Sequence, residues 1–229
     1  LDDEFALVPL IRHFTKRDSS DLLFVFCAER NERPLKHIQQ RREENKKSLD
    51  LLGASQSSLI YLNDLFKVDD LKLYKSKELI IKFLVEFKDK FKFKKIITLA
   101  YEGGHPDHDS LALIVDKFCL EHNIKAYFFT AYNYEPFLFF PYRVLLPLTS
   151  QKFIINRHEF GEFCWIKLLF ILSIYQSERA AFLKLLPFLI YKAFFSSSIS
   201  YFTSISLDSV NWSKSLSYRV YNFKDRSYL

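Results

Sequence analysis

The chain has 229 residues, 49% of them hydrophobic, with 33 Lys plus Arg against 27 Asp plus Glu. That length and apolar content suit one α/β domain with a single core, and they exclude a chain disordered throughout. The net charge of +6 is mild and the lysines are scattered, which favours anionic substrates or membrane headgroups and argues against a nucleic-acid partner.

Taken in chain order, residues 4–16 read as a helix that Pro9 delays or kinks. "LLFVFCA" (22–28) is a short buried strand. A long polar helix follows, opened by Pro34 and closed by Gly53, the usual proline-first, glycine-last asymmetry. "SLIYL" (58–62) is another strand. "KELIIKFLVEFKDKF" (77–91) carries a broad apolar face of Leu79, Ile80, Ile81, Phe83, Leu84 and Phe87 and is a helix. "KKIITLA" (94–100) is the next strand. After His108, the residues Leu111, Ile114, Val115, Phe118 and Cys119 repeat with the spacing of one buried helix face, and "IKAYFFT" (124–130) closes the series as a strand.

Strands and helices therefore alternate over the first 130 residues, as in a mainly parallel sheet with helices on both faces. In such sheets ligands sit beyond the carboxyl ends of the strands. One of those ends carries "YEGGHPDHDS" (101–110). Gly103 and Gly104 permit a sharp turn, Pro106 fits the first helical position, His105 becomes the N-cap and His108 falls in the first turn. Two imidazoles three residues apart can face one small volume, where one can ligate zinc and the other can move a proton near neutral pH. The plainer reading is a helix cap and nothing more. A second cluster, "LDDE" (1–4), stands before the first helix, where adjacent carboxylates can divide metal binding and proton abstraction between them. Its plainer reading is an acidic helix N-terminus.

In this order and spacing, "LDDE", "RREENKKSLDLLG" (41–53) and "GGHPDH" (103–108) resemble the LmbE-like or PIG-L family of zinc-dependent de-N-acetylases. The hallmarks of that family are His-Pro-Asp-Asp-Glu, an Arg-x-x-Glu helix ending in Leu-Gly, and His-Pro-Asp-His. The likeness covers residues 1–130, with a weaker echo of the family's later helix in "IKLLFILSIYQSE" (166–178). It implies a Rossmann-like α/β fold and a hydrolase that uses metal-activated water to remove the N-acetyl group from an N-acetylglucosamine-type sugar or glycolipid. The implied cofactor is zinc or another divalent metal. By the same resemblance Asp2 is the general base, Asp3 and His108 are metal ligands, and His105 steadies the oxyanion or protonates the leaving amine while Asp107 orients it. Arg41 and Glu44 match the Arg-x-x-Glu pair near the substrate mouth; their plainer reading is a solvated i, i+3 ion pair.

Leu1 stands where the family has proline, and the family's first histidine, a third ligand, would come immediately before it. The chain contains no Met, so it reads as a fragment whose start lies upstream. The alternative reading follows: a non-catalytic relative that lacks one ligand and binds a sugar or a protein partner.

Residues 1–150 are expected to form the de-N-acetylase core, and 151–229 an aromatic-rich, partly helical continuation of the same domain. That region reads either as further core with a substrate-shaping lid or as a peripheral membrane patch. Lys167, Lys184, Lys192 and Arg143 interrupt its apolar runs too often for a spanning helix, and the serine-rich stretch 196–209 reads as a loop. Cys27, Cys119 and Cys164 are odd in number and far apart, so they read as buried thiols in a reducing, cytoplasmic setting. His13, His37, His122 and His158 match no motif and are expected at surfaces or helix ends. Trp165 and Trp212 are expected to be packing residues.

Overall fold

The structure is a computed structural model; it describes residues 22–25, 34–51, 61, 72–102, 105–133, 135–136, 143–146, 156–159, 173–195 and 198–203. The expected helix at 4–16, the acidic "LDDE" segment, all of "SLIYL" except Tyr61, Cys27, Cys164 and both tryptophans lie outside these residues.

A five-stranded sheet organises the molecule. Its order is β1 (Leu22–Phe24), β2 (Lys95–Leu99), β3 (Lys125–Phe129), β7 (Ser198–Phe202), β6 (Asn156–Glu159). The first three strands are parallel, with Ile97 opposite both Phe24 and Tyr127. β7 joins β3 antiparallel and β6 joins β7 antiparallel, so the expected parallel arrangement holds for β1 to β3 and the C-terminal region adds an antiparallel pair. A separate two-stranded ribbon pairs β4 (Tyr132–Asn133) with β5 (Arg143–Val144).

Helix α1 spans Leu35–Leu51, α2 Lys77–Phe91, α3 Pro106–His122 and α4 Arg179–Phe195. Pro34 precedes α1 directly and its carbonyl accepts from His37 and Ile38. The polar composition of α1 matches its four buried residues, Glu44, Asn45, Ser48 and Leu49. α2 follows a short 3-10 turn at Leu73–Ser76 and ends where Lys92 adopts φ 51°, a left-handed C-cap donating to the Lys88 carbonyl at 2.8 Å. α3 ends in the same way at Asn123, φ 53°.

The core lies between α2, α3 and one face of the sheet. Ile80 and Leu84 from α2, Leu111, Ile114, Val115 and Phe118 from α3, and Ile96, Ala126 and Phe128 from the strands form one buried cluster. The alternate residues Ile97, Leu99, Tyr127 and Phe129 are buried as well, so the central strands are covered on both sides, which explains their continuous apolar sequence. Leu79, expected on the apolar face of α2, is 49% exposed; the buried stripe runs through Ile80 and Leu84 instead.

One expectation is overturned in the residues that are described, 198–203, while 196–197 and 204–209 lie outside them. The stretch 196–209 was expected as a loop on its serine content, yet Ser198–Phe202 forms β7. Ile199, Tyr201 and Phe202 have strand-favouring side chains, and sheet pairing on both sides outweighs the turn tendency of the intervening serines. Among the described residues no helix is long and apolar enough to cross a membrane.

Candidate active site

The carboxyl ends of β2 and β3 meet the N-terminus of α3, and the histidine turn sits there. His105 is the N-cap: its backbone is extended, and its Nδ1 accepts from the Asp107 N–H at 3.3 Å, with Pro106 in the first turn. The expected cap geometry is therefore present. It also fixes a proton, because a neutral ring that accepts at Nδ1 carries its hydrogen on Nε2.

His108, one turn on, is buried at 2% exposure and its ring stacks on that of His105 with centroids 4.3 Å apart. Tyr132 meets the His108 ring edge-on at 5.6 Å. His108 Nδ1 lies 3.8 Å from Glu102 Oε2. That separation is too long for a formed hydrogen bond and close enough for a strong electrostatic preference.

Three buried carboxylates hold this arrangement together. Asp107 Oδ1 accepts from the Leu73 N–H at 3.0 Å, tying α3 to the 3-10 turn before α2. Asp109 Oδ1 accepts from the Glu102 N–H at 2.7 Å, fixing the end of β2 against α3. Glu102 itself reaches across to the end of β3, where Oε1 accepts from the Ala131 N–H at 2.7 Å and Oε2 from the Tyr132 N–H at 3.2 Å. Burial pushes the Glu102 carboxyl above its ordinary range, while His108 and the two backbone N–H groups pull it back. Burial and then the nearby Asp109 charge raise the Tyr101 phenol above its usual range.

A second polar junction joins α1 to residues 173–178. Glu44 is buried at 5% exposure; its Oε1 accepts from Gln40 Nε2 at 2.9 Å and from the Ser177 N–H at 3.1 Å, and its Oε2 accepts from the Ser177 hydroxyl. Arg41 pairs with Glu178 at 3.3 Å, and His37 lies 3.8 Å from the same carboxylate. The solvated ion-pair reading of Arg41 and Glu44 does not hold, since both are largely withdrawn from water and reach the later segment. Tyr175, within that segment, is buried at 2% exposure.

The structure thus brings His105, Asp107 and His108 together at one strand end, with Arg41 and Glu44 at the junction with 177–178; Asp2 and Asp3 lie outside the described residues. Asp107 meets His105 through its backbone N–H, and its carboxylate serves Leu73. Glu102, Asp109, Ser177 and Glu178 were not anticipated. The signal for Glu102 was its position, a charged residue two places after the apolar run 94–100, where parallel sheets place ligands. His122 closes α3 and lies 3.3 Å from Lys88 Nζ, as a helix-end residue should; His158 lies in β6. Cys119 is free and buried.

No family model matches the chain, and no curated protein matches it by sequence. Solved structures do match. A deacetylase–teicoplanin complex superposes with TM-score 0.59 at 13% identity, over 90% of this chain and 95% of that one. The A40926 pseudoaglycone deacetylase Dbv21 superposes with TM-score 0.58 at 15% identity, over 88% and 92%. This chain has the fold of those deacetylases. The zinc-inhibited form of the teicoplanin deacetylase Orf2 is also similar, with TM-score 0.52 at 16% identity over 77% of this chain and 81% of that one.

Proposed function

We propose that the chain is a metal-dependent hydrolase that removes the N-acetyl group from an N-acetylglucosamine-type sugar or glycoconjugate, releasing acetate and a free amine. The observation that carries this reading is the histidine turn: two stacked imidazoles at the N-terminus of α3, one with its proton placed on Nε2 and the other backed by a buried carboxylate. The shared fold with deacetylases and the motif resemblance support it.

The donor chemistry at His108 suits a divalent cation. Its Nδ1 faces Glu102, and metal-bound histidines are usually held with one ring nitrogen toward a carboxylate. Among the described residues no group of three His, Cys, Asp or Glu could hold an ion; on this reading Asp3 from the acidic segment is a second ligand beside His108. The zinc-inhibited form of one structural neighbour supports a divalent metal. A cation held there supplies positive charge that acidifies water and polarises the amide carbonyl.

The chain's own residues do the rest. Asp2 takes the proton from the attacking water. The Nε2–H of His105 donates to the oxygen on which negative charge grows, and the N-terminal dipole of α3 acts in the same sense. The proton that Asp2 takes from the water is the one the departing amine requires. Asp107, by pinning Leu73, fixes the first turn of α3 and hence both rings. Arg41 and Glu44 shape the substrate mouth by clasping residues 177–178 against α1. A glycolipid substrate would bring the aromatic C-terminal region to a membrane surface.

Acetate release from an N-acetylated amino sugar by the zinc-loaded chain tests the reading. Asp2→Asn should abolish turnover and leave bound zinc unchanged; full activity in that variant would remove the general-base role. Zinc-loaded wild-type protein that releases no acetate from any N-acetylated sugar, yet binds such a sugar, would favour the non-catalytic alternative.

A further inference from the structure

We propose that the outward face of α4 docks on a membrane surface bearing anionic phospholipid headgroups and so holds the substrate mouth at the lipid interface. The inference rests on the deacetylase reading above for the use it makes of the mouth, and it deepens that reading by naming where a lipid-borne substrate is met. The sequence of α4, RAAFLKLLPFLIYKAFF, is apolar nearly all round, and such a helix is stable where its sides are covered. The protein covers one side, where Phe188 is buried at 2% exposure. On the other, Leu183, Pro187 and Ile190 stand at i, i+4 and i+7 with Tyr191 beside them. Leu183 is 59% exposed, Ile190 41% and Tyr191 37%, and Pro187 is exposed too. A run of such side chains marks an interaction surface, whereas a single exposed leucine needs no partner.

Charge selects the occupant. The helix carries Arg179, Lys184 and Lys192 and no Asp or Glu. Arg179 and Lys184 are exposed, and helical spacing places them on opposite flanks of the apolar stripe. An apolar stripe bordered by a tyrosine and flanked by basic residues suits the headgroup zone: hydrocarbon takes the stripe while the long basic side chains reach back to anionic phosphates. A second copy of the chain would set like charges against like, and the net charge of +6 favours the lipid surface again. With basic residues at 179, 184 and 192, α4 lies in the interface rather than across it.

The position of α4 gives this contact a use. The helix begins directly after residues 177–178, which α1 clasps through Glu44 and Arg41. It also packs on β5, whose partner β4 carries Tyr132, edge-on to His108. A membrane against α4 is therefore close to the mouth, and a lipid-borne sugar can reach the histidine turn without leaving the interface.

Co-sedimentation of the full chain with vesicles of phosphatidylcholine, with and without phosphatidylserine, tests this. The wild type should bind the phosphatidylserine vesicles and bind them more weakly in high salt. Leu183→Ser combined with Ile190→Ser should weaken binding about 10-fold or more. Arg179→Gln combined with Lys184→Gln should reduce the preference for phosphatidylserine, and Leu120→Ser, on an exposed leucine of α3, should bind as wild type. Hydrogen exchange of the wild type, which needs no variant, should show vesicle-dependent protection within residues 183–191.

A wild type that stays in the supernatant, a folded Leu183→Ser/Ile190→Ser protein that binds undiminished, or protection confined to other elements overturns the proposal. So does light scattering that shows a dimer dispersed by the same double variant, since the face would then belong to a second copy. The vesicles contain no acetylated sugar, so a failure to release acetate would defeat the deacetylase reading and leave the membrane contact standing. A failure to bind vesicles would defeat the membrane contact and leave the deacetylase reading with a water-soluble substrate.

Discussion

The histidine turn and the junction between α1 and residues 173–178 both bury charged side chains, but they differ in how far apart their partners lie in sequence. At the turn, His105 caps the N–H two residues on and the Glu102 N–H is held by Asp109 seven residues away. At the junction, Glu44 binds Ser177 across 133 residues. The first joins these local bonds to others of about 30 residues' range, Asp107 with Leu73 and Glu102 with Ala131 and Tyr132, at a strand end. The second is a long-range clasp that sets where the C-terminal segment rests. On the proposed reading, changes at the turn should cost chemistry as well as stability, and changes at the junction should cost stability with milder effect on chemistry.

The largest expected effect is on turnover. His105→Ala should lower kcat by about 10²–10³-fold, the usual loss on removing one donor to a developing oxyanion, with little change in KM. Steady-state kinetics on an N-acetylated sugar checks this; an unchanged kcat would reduce His105 to a helix cap. Asp107→Ala comes next, since it strips the buried Leu73 N–H of its acceptor and should cost about 1–3 kcal/mol in denaturant unfolding. Asp107→Asn keeps a carbonyl acceptor and should cost less.

At the junction, Glu44→Ala leaves the Ser177 N–H and hydroxyl without their acceptor and should cost about 1–3 kcal/mol, again by denaturant unfolding. A kcat loss as large as that of His105→Ala, at unchanged stability, would erase the contrast between the two regions. The smallest stability effect belongs to the more exposed rim of the clasp: a double-mutant cycle on Arg41 and Glu178 should give a coupling of about 0.5–1 kcal/mol. The far end of α3 supplies a control. Burial and then the nearby Asp116 charge push the Cys119 thiol up to about 12, so at pH 8 it is a protonated, enclosed thiol; alkylation followed by peptide mapping should label it only after unfolding.

The same distinction of range explains what was legible in the sequence. α2 and α3 are read correctly because helical period, Pro106 and the charged flanks are local signals, and the capping role of His105 follows from the His-Pro pair alone. β2 and β3 stand out as β-branched and aromatic runs. Ser198–Phe202 is missed because its strand character comes from pairing with β3 and β6 rather than from its own serines. Glu102 sits inside the stretch that drew attention first, yet its role depends on Ala131 and Tyr132, donors about 30 residues distant, which no spacing rule within the motif contains. Arg41 and Glu44 are recognisable as a motif, and their partners Ser177 and Glu178 lie in the weaker echo at 166–178, but only the folded chain joins the two.

The account's central claim is that the histidine turn and the acidic segment at residues 1–4 share one divalent cation. Zinc bound per folded chain, measured by elemental analysis after dialysis for the wild type, Asp3→Ala and His108→Ala, tests it most directly. The expected result is equimolar zinc in the wild type and loss of most of it in either variant. Equimolar zinc retained in both variants, or a wild-type chain that takes up none, would contradict it.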